Sequence, residues 1–78
     1  MAIIKVTIKN GYLHNITEEF VCSNVDISIL DEIDYCVEEC VGQYLEMHED
    51  VIHTLDASWD QIADACHYTI EEVFEHEL

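Results

Sequence analysis

Arginine and proline are absent from this 78-residue chain, and lysine occurs only at Lys5 and Lys9. A polyanion is held by lysine and arginine as its counterions are released, so this shortage excludes DNA or RNA as a direct ligand. It argues equally against an anionic membrane surface. Two glycines, Gly11 and Gly42, leave no glycine-rich phosphate loop, and no D-x-D-x-D-G calcium loop occurs. Long apolar runs are also missing. Ile3 to Ile8 is interrupted by Lys5 and is too short for a signal segment or a membrane span, so the chain is expected in the cytoplasm. There is no G-x-S-x-G elbow or H-E-x-x-H helix, and the adjacent Cys66 and His67 would point different ways on a helix, so no enzyme is expected.

What is present is acid. All eighteen Asp and Glu residues follow Lys9, and the formal charge is −16. Charge alone would suggest disorder, but half of the residues are apolar, a share that a disordered acidic tail lacks. The length allows one domain, 1–78, with a small core and a thin stability margin.

The patterning predicts an α+β fold, an N-terminal β-hairpin followed by two or three amphipathic helices. Ile4, Val6 and Ile8 alternate with Lys5, Thr7 and Lys9, the period of a strand. Asn10-Gly11 then signals a tight type I′ turn, and the return strand is expected to end at Cys22, closing a hairpin over 1–22. Its alternation is imperfect, so either the sheet is covered on both faces or a bulge re-phases the strand before Phe20. From Leu30, the residues Ile33, Val37, Cys40, Val41, Tyr44, His48, Val51, Ile52 and Leu55 fall on one stripe, which predicts a helix over 28–55 capped by Ser28. Gly42 and His48-Glu49-Asp50 are its weak points. Ser58 with Gln61 forms a capping box, and Trp59, Ile62, Ala63, Cys66, Ile70, Val73 and Phe74 predict a second helix over 58–77, folded back antiparallel on the first.

Ile62 to Val73 also resembles the helix-turn-helix pattern of small DNA-binding domains, with Thr69 capping a further helix. The resemblance implies a break in the last helix. His67 stands where the turn glycine is usual, and Glu71, Glu72, Glu75 and Glu77 without a base would keep such a helix away from phosphates, so the module would bind protein.

Four cysteines in a reducing compartment are free thiols or metal ligands rather than a disulfide framework. Cys36 and Cys40 lie one helical turn apart, a spacing that presents two thiolates to one zinc ion. In a helical hairpin His76 comes nearest to that pair, and Cys22 at the end of the second strand would supply the fourth ligand. With the last helix broken, Cys66 or His67 would take that place. A structural zinc would suit so thin a core. The bland reading is that Cys40 and Cys66 are small core residues. His48 on the apolar stripe reads as a core histidine, and His14 and His53 as surface residues.

The carboxylates carry the functional expectation. Like charges one helical turn apart repel, so an acidic surface with no bases weakens the fold and needs a reason. Asp31, Glu38, Glu39, Glu46, Glu49 and Asp50 on the first helix, with Asp60, Asp64, Glu71 and Glu75 on the second, would form a patch that docks on a basic groove. In size, charge and composition, and in the acidic helices from Asp31 to Leu78, the chain resembles the small acidic anti-CRISPR proteins of phages. That resemblance implies stoichiometric binding to an RNA-guided Cas nuclease, with target DNA loading blocked at its Lys- and Arg-rich surfaces. Two alternatives stand beside it. One is a DNA mimic directed at another host enzyme of restriction or repair, and the other is a zinc-stabilised adaptor whose acidity only keeps it soluble.

Overall fold

The computed structural model describes residues 2–73. In chain order these form β1 (Ala2–Asn10), a 3-10 turn (Gly11–Leu13), β2 (Ile16–Val25), α1 (Leu30–Met47), α2 (Glu49–Ile52), α3 (Trp59–Asp64) and β3 (Cys66–Val73). The fold class is α+β, as the patterning predicts, with a third strand added to the sheet. The sheet order is β2-β1-β3, antiparallel throughout, with β1 in the middle.

Alternation along β1 sets the two faces. Ile4, Val6 and Ile8 are buried beneath the helices, while Lys5 and Lys9 turn to the outer face. Fully burying an aliphatic side chain contributes about 1.5–3 kcal/mol, so this row anchors the domain. Leu13, Val25, Val37, Cys40, Tyr44, Leu45, Ile52 and Ile62 complete the core.

The β1–β2 connection is longer than the type I′ turn expected at Asn10-Gly11. Asn10 stays extended, at φ −144°, and the left-handed positions are His14 and Asn15, both at φ 57°. Two groups drive this. Leu13 is fully buried, so the chain must dip inward before returning. The Asn10 side chain is also fully buried: its Oδ1 accepts the Tyr12 N–H at 2.9 Å and its Nδ2 donates to the Ile62 carbonyl at 2.7 Å. The five-residue turn puts Ile16, Phe20 and Cys22 opposite Asn10, Val6 and Ile4, so no bulge is needed before Phe20. The irregularity lies at the other end. One residue of β1, Ile3 between Ala2 and Ile4, opposes two of β2, Ser23 and Asn24, and Asn24 adopts φ 60° there.

The helix expected over 28–55 begins at Leu30 and stops at Met47. Ser28 does not cap it. The Ser28 N–H donates instead to Asp26 Oδ1 at 3.0 Å, closing a turn before the helix, and the cap position falls to Ile29 without a side-chain bond. Of the predicted apolar stripe, Leu30 is 73% exposed and Val51 40%, and Leu45, off that stripe, is buried. His48 is the break between α1 and α2.

The chain departs most from expectation after α3. The capping box at Ser58 and Gln61 is made in both directions, at 3.2 and 2.9 Å. The helix then ends at Asp64 and residues 66–73 run as a strand, so there is neither a helical hairpin nor a helix-turn-helix over Ile62 to Val73. Tyr68, Thr69, Ile70 and Val73 are strand formers, and the second edge of β1 would otherwise present unpaired N–H and C=O groups. Asn10 fixes the switch. It donates to the Ile62 carbonyl at the end of α3, which also accepts the Ala65 N–H at 3.1 Å, and its Nδ2 lies 3.1 Å from Cys66 Sγ, where β3 begins. Phe74 and His76, which the helical reading used, lie outside the described residues.

Candidate protein-interaction surface

α1 lies over β1 and β2, and its outward face is acidic. Asp31, Asp34, Tyr35, Glu38, Glu39, Gln43 and Glu46 are all exposed. At 1.5 Å per residue the stripe from Asp31 to Glu46 is about 22 Å long. Tyr35, Glu38, Glu39, Gly42, Gln43 and Glu46 line one shallow depression on it. The Glu39 carboxylate beside the Tyr35 phenol pushes its pKa above the ordinary tyrosine value. Spacing alone flags this aromatic: Tyr35 and Glu39 are one turn apart on the polar side of the helix. Asp31 and Glu32 sit in the first turn of α1, where the helix dipole favours negative charge.

The remaining expected contacts are spread more widely. Glu49 and Asp50 are exposed in the first turn of α2, with His53 Nε2 3.5 Å from Glu49 Oε1. Asp60 and Asp64 are exposed on α3, and Asp64 lines a separate depression with Gly11, Tyr12, Asn15, Ala65 and His67. Glu71 does not join the α1 patch. Because 66–73 is a strand, Glu71 lies opposite Lys5 on the outer face of the sheet, 3.5 Å from its Nζ, and Glu19 approaches the same lysine at 3.9 Å. Glu75 lies outside the described residues.

This arrangement separates charge by side. Both lysines of the chain project from odd positions of β1, away from the helices. The helical side has none. Its inward histidine, His48, is packed on Tyr44 with ring centroids 5.0 Å apart. His48 Nε2 lies 3.4 Å from Glu18 Oε1 but makes no hydrogen bond among the described residues.

The expected zinc site is not formed. Among the described residues no group of three or more His, Cys, Asp or Glu side chains is placed to hold a metal ion. Cys22 and Cys40 do meet, with sulfurs 3.6 Å apart, and Cys36 is close enough to Cys22 to perturb it. The other candidates are remote. Cys22 pairs with Ile4 and Cys66 with Asn10, six residues further along β1, so the two are about 20 Å apart. His67 sits opposite Lys9 on the outer face, and His76 lies outside the described residues. Cys22, Cys36 and Cys40 serve as packing thiols. Burial pushes all three pKa values up and the charge of Glu39 adds to the shift, while hydrogen bonds among the thiols partly oppose it at Cys22 and Cys40.

No family model, curated protein or solved structure matches this chain. The functional argument therefore rests on the surface itself. None of the helices among the described residues is long and apolar enough to cross a membrane.

Proposed function

We propose that this protein is a stoichiometric inhibitor whose helical face docks on a basic, nucleic-acid-binding surface of another protein and keeps nucleic acid out. The observation that carries the reading is the sidedness of charge: a rigid helix displays Asp31, Asp34, Glu38, Glu39 and Glu46, and both lysines lie on the far side of the sheet. The magnitude fits. The described residues hold sixteen of the eighteen carboxylates, Glu75 and Glu77 being the others, and both lysines, a net −14 over a long axis of 41 Å. On the outward face of α1 itself, five exposed carboxylates from Asp31 to Glu46 span about 22 Å, one per ~4.5 Å, of the order of the ~3.4 Å of a single strand. Such a surface accelerates encounter with a basic groove and repels the nucleic acid that competes for it.

An RNA-guided Cas nuclease is the target class we propose, because its guide and target channels are long, positively charged and read by backbone shape. The test is target-DNA cleavage by purified single-chain and multi-subunit effectors, with this protein in molar excess. The reading expects inhibition of at least one effector, relieved when target DNA is bound first. Absence of inhibition and of any complex across the panel overturns the Cas assignment. Inhibition of a restriction or repair enzyme under the same conditions would move the reading to that target.

A further inference from the structure

The free edge of β3 is built differently from the acidic helix. β3 pairs with β1 over eight consecutive residues without a bulge, and no described strand pairs with its other side. Edge strands are ordinarily protected by lysine, proline, a bulge or a covering element. Among the described residues β3 has none of these, and its one inward-side charge is Glu72, opposite Ile4 at the end of the strand. α1 leans over β1 and β2, so Tyr68 and Ile70, which share the helix-side face with the core row of β1, remain 49% and 39% exposed.

No described strand bonds to the backbone on the far side of this edge. The Asn10 carbonyl accepts from Asn15 N–H at 2.9 Å, on the β2 side. Antiparallel ladders alternate, so even residues of β1 bond to β2 and odd residues bond to β3. Their partners His67, Thr69, Glu71 and Val73 therefore direct their N–H and C=O groups to β1. Cys66, Tyr68, Ile70 and Glu72 direct theirs outward. The charges beside that row are acidic: Glu71 and Glu72 are on the strand, and Glu72 lines a depression with Asp26 at the same end of the sheet.

We infer that β3 accepts a basic, extended segment of a partner protein as a fourth strand. Main-chain bonds to Tyr68, Ile70 and Glu72 would supply affinity. Alternate apolar side chains would cover Tyr68 and Ile70 on the helix-side face, and lysines or arginines on the outer face would meet Glu71. Charge decides the occupant. A second copy of this chain would bring another sixteen net negative charges to a strand bearing two adjacent glutamates, whereas a basic strand relieves them. The inference extends the proposed function to a second contact with the same kind of partner, but it rests on a separate surface and is tested separately.

The probe is a blocked seven-residue peptide of alternating lysine and valine, with a glutamate–valine peptide as control, added to the intact protein. Amide exchange followed by NMR reads the site. Saturation with the basic peptide is expected to slow exchange at Tyr68, Ile70 and Glu72 about tenfold, leaving α1 amides unchanged. Ile70→Pro removes an outward N–H without touching the β1 ladder, and should weaken peptide binding about tenfold or more while His67 and Thr69 stay protected. Should that variant fail to fold, Glu71→Lys with Glu72→Lys must show the same loss of peptide binding. Protection confined to α1, equal binding of the glutamate peptide, or edge protection that grows with protein concentration alone would each overturn the inference. Glu38→Lys with Glu39→Lys separates the two ideas. It should abolish inhibition of the target yet leave the peptide on β3, so either idea can fail without the other.

Discussion

Replacing Asn10 with alanine tests the link that joins three parts of the fold. The side chain is fully buried and bonds at once to the 3-10 turn, through Tyr12 N–H, and to the end of α3, through the Ile62 carbonyl. Asn10→Ala leaves the Tyr12 N–H without a partner and leaves the Ile62 carbonyl only the Ala65 N–H, at 3.1 Å. The unsatisfied Tyr12 amide costs about 1–3 kcal/mol and the lost bond to the Ile62 carbonyl about another 1 kcal/mol, so the expected loss is about 3 kcal/mol. At ~0.05–0.15 kcal/mol per residue the whole domain is worth only about 4–12 kcal/mol, so a quarter or more of the stability disappears. The melting temperature should fall by roughly 12–24 °C. Urea denaturation should show a lower midpoint with an unchanged slope, and amide exchange should speed up first in β3. If residues 66–73 were helical, Asn10 would be an ordinary turn residue and the change would stay within about 0.5 kcal/mol. A shift that small would refute the placement of β3.

Other outcomes follow from the same structure. Truncating the buried turn residue, Leu13→Ala, should cost about 2–4 kcal/mol in a denaturation series. The Tyr44 phenol donates to the Ile16 carbonyl at 2.6 Å, and burial raises its pKa, as it does for Cys22, Cys36 and Cys40. The folded state thus holds these protons more tightly than the unfolded chain. Their stabilisation is complete below about pH 8.5 and is lost as pH rises through the raised values, which thermal melts between pH 8 and pH 11 should show. Because carboxylates on α1 repel one another, added sodium chloride should raise the melting temperature, and Glu38→Gln should raise it at low salt and less at high salt. A chelator should leave the melting temperature unchanged; a fall of several degrees with EDTA would contradict the arrangement of the cysteines.

Local chemistry made some elements legible and left others hidden. The alternation of Ile4, Val6 and Ile8 and the capping box at Ser58 and Gln61 are short-range signals, and both elements form where those signals fall. Asn10-Gly11 is also a local signal, but tertiary packing overrides it, since Leu13 and the Asn10 side chain both enter the core. The spacing of Ile62, Cys66, Ile70 and Val73 suits a helix, and only the vacant edge of β1, more than fifty residues earlier, selects a strand. Tyr68-Thr69-Ile70 was the one sequence hint. That single misassignment propagates to function: on a helix Glu71 extends the acidic patch and His76 approaches Cys36, whereas on a strand Glu71 meets Lys5. The acidic face of α1 was readable because helical spacing and a residue count suffice for it. The open edge of β3 was not readable, because it exists only once the third strand is in place.

On the proposed function, the acidic helical face competes with nucleic acid for a basic groove. The most direct measurement of this competition is the fluorescence anisotropy of labelled target DNA on guide-loaded Cas effectors, titrated with this protein and with Glu38→Lys/Glu39→Lys. The account predicts that the wild-type chain displaces DNA or prevents its loading, that the variant does not, and that affinity falls about tenfold or more between 0.05 and 0.5 M salt. DNA that remains bound at every concentration, or displacement by both proteins with no dependence on salt, would contradict it.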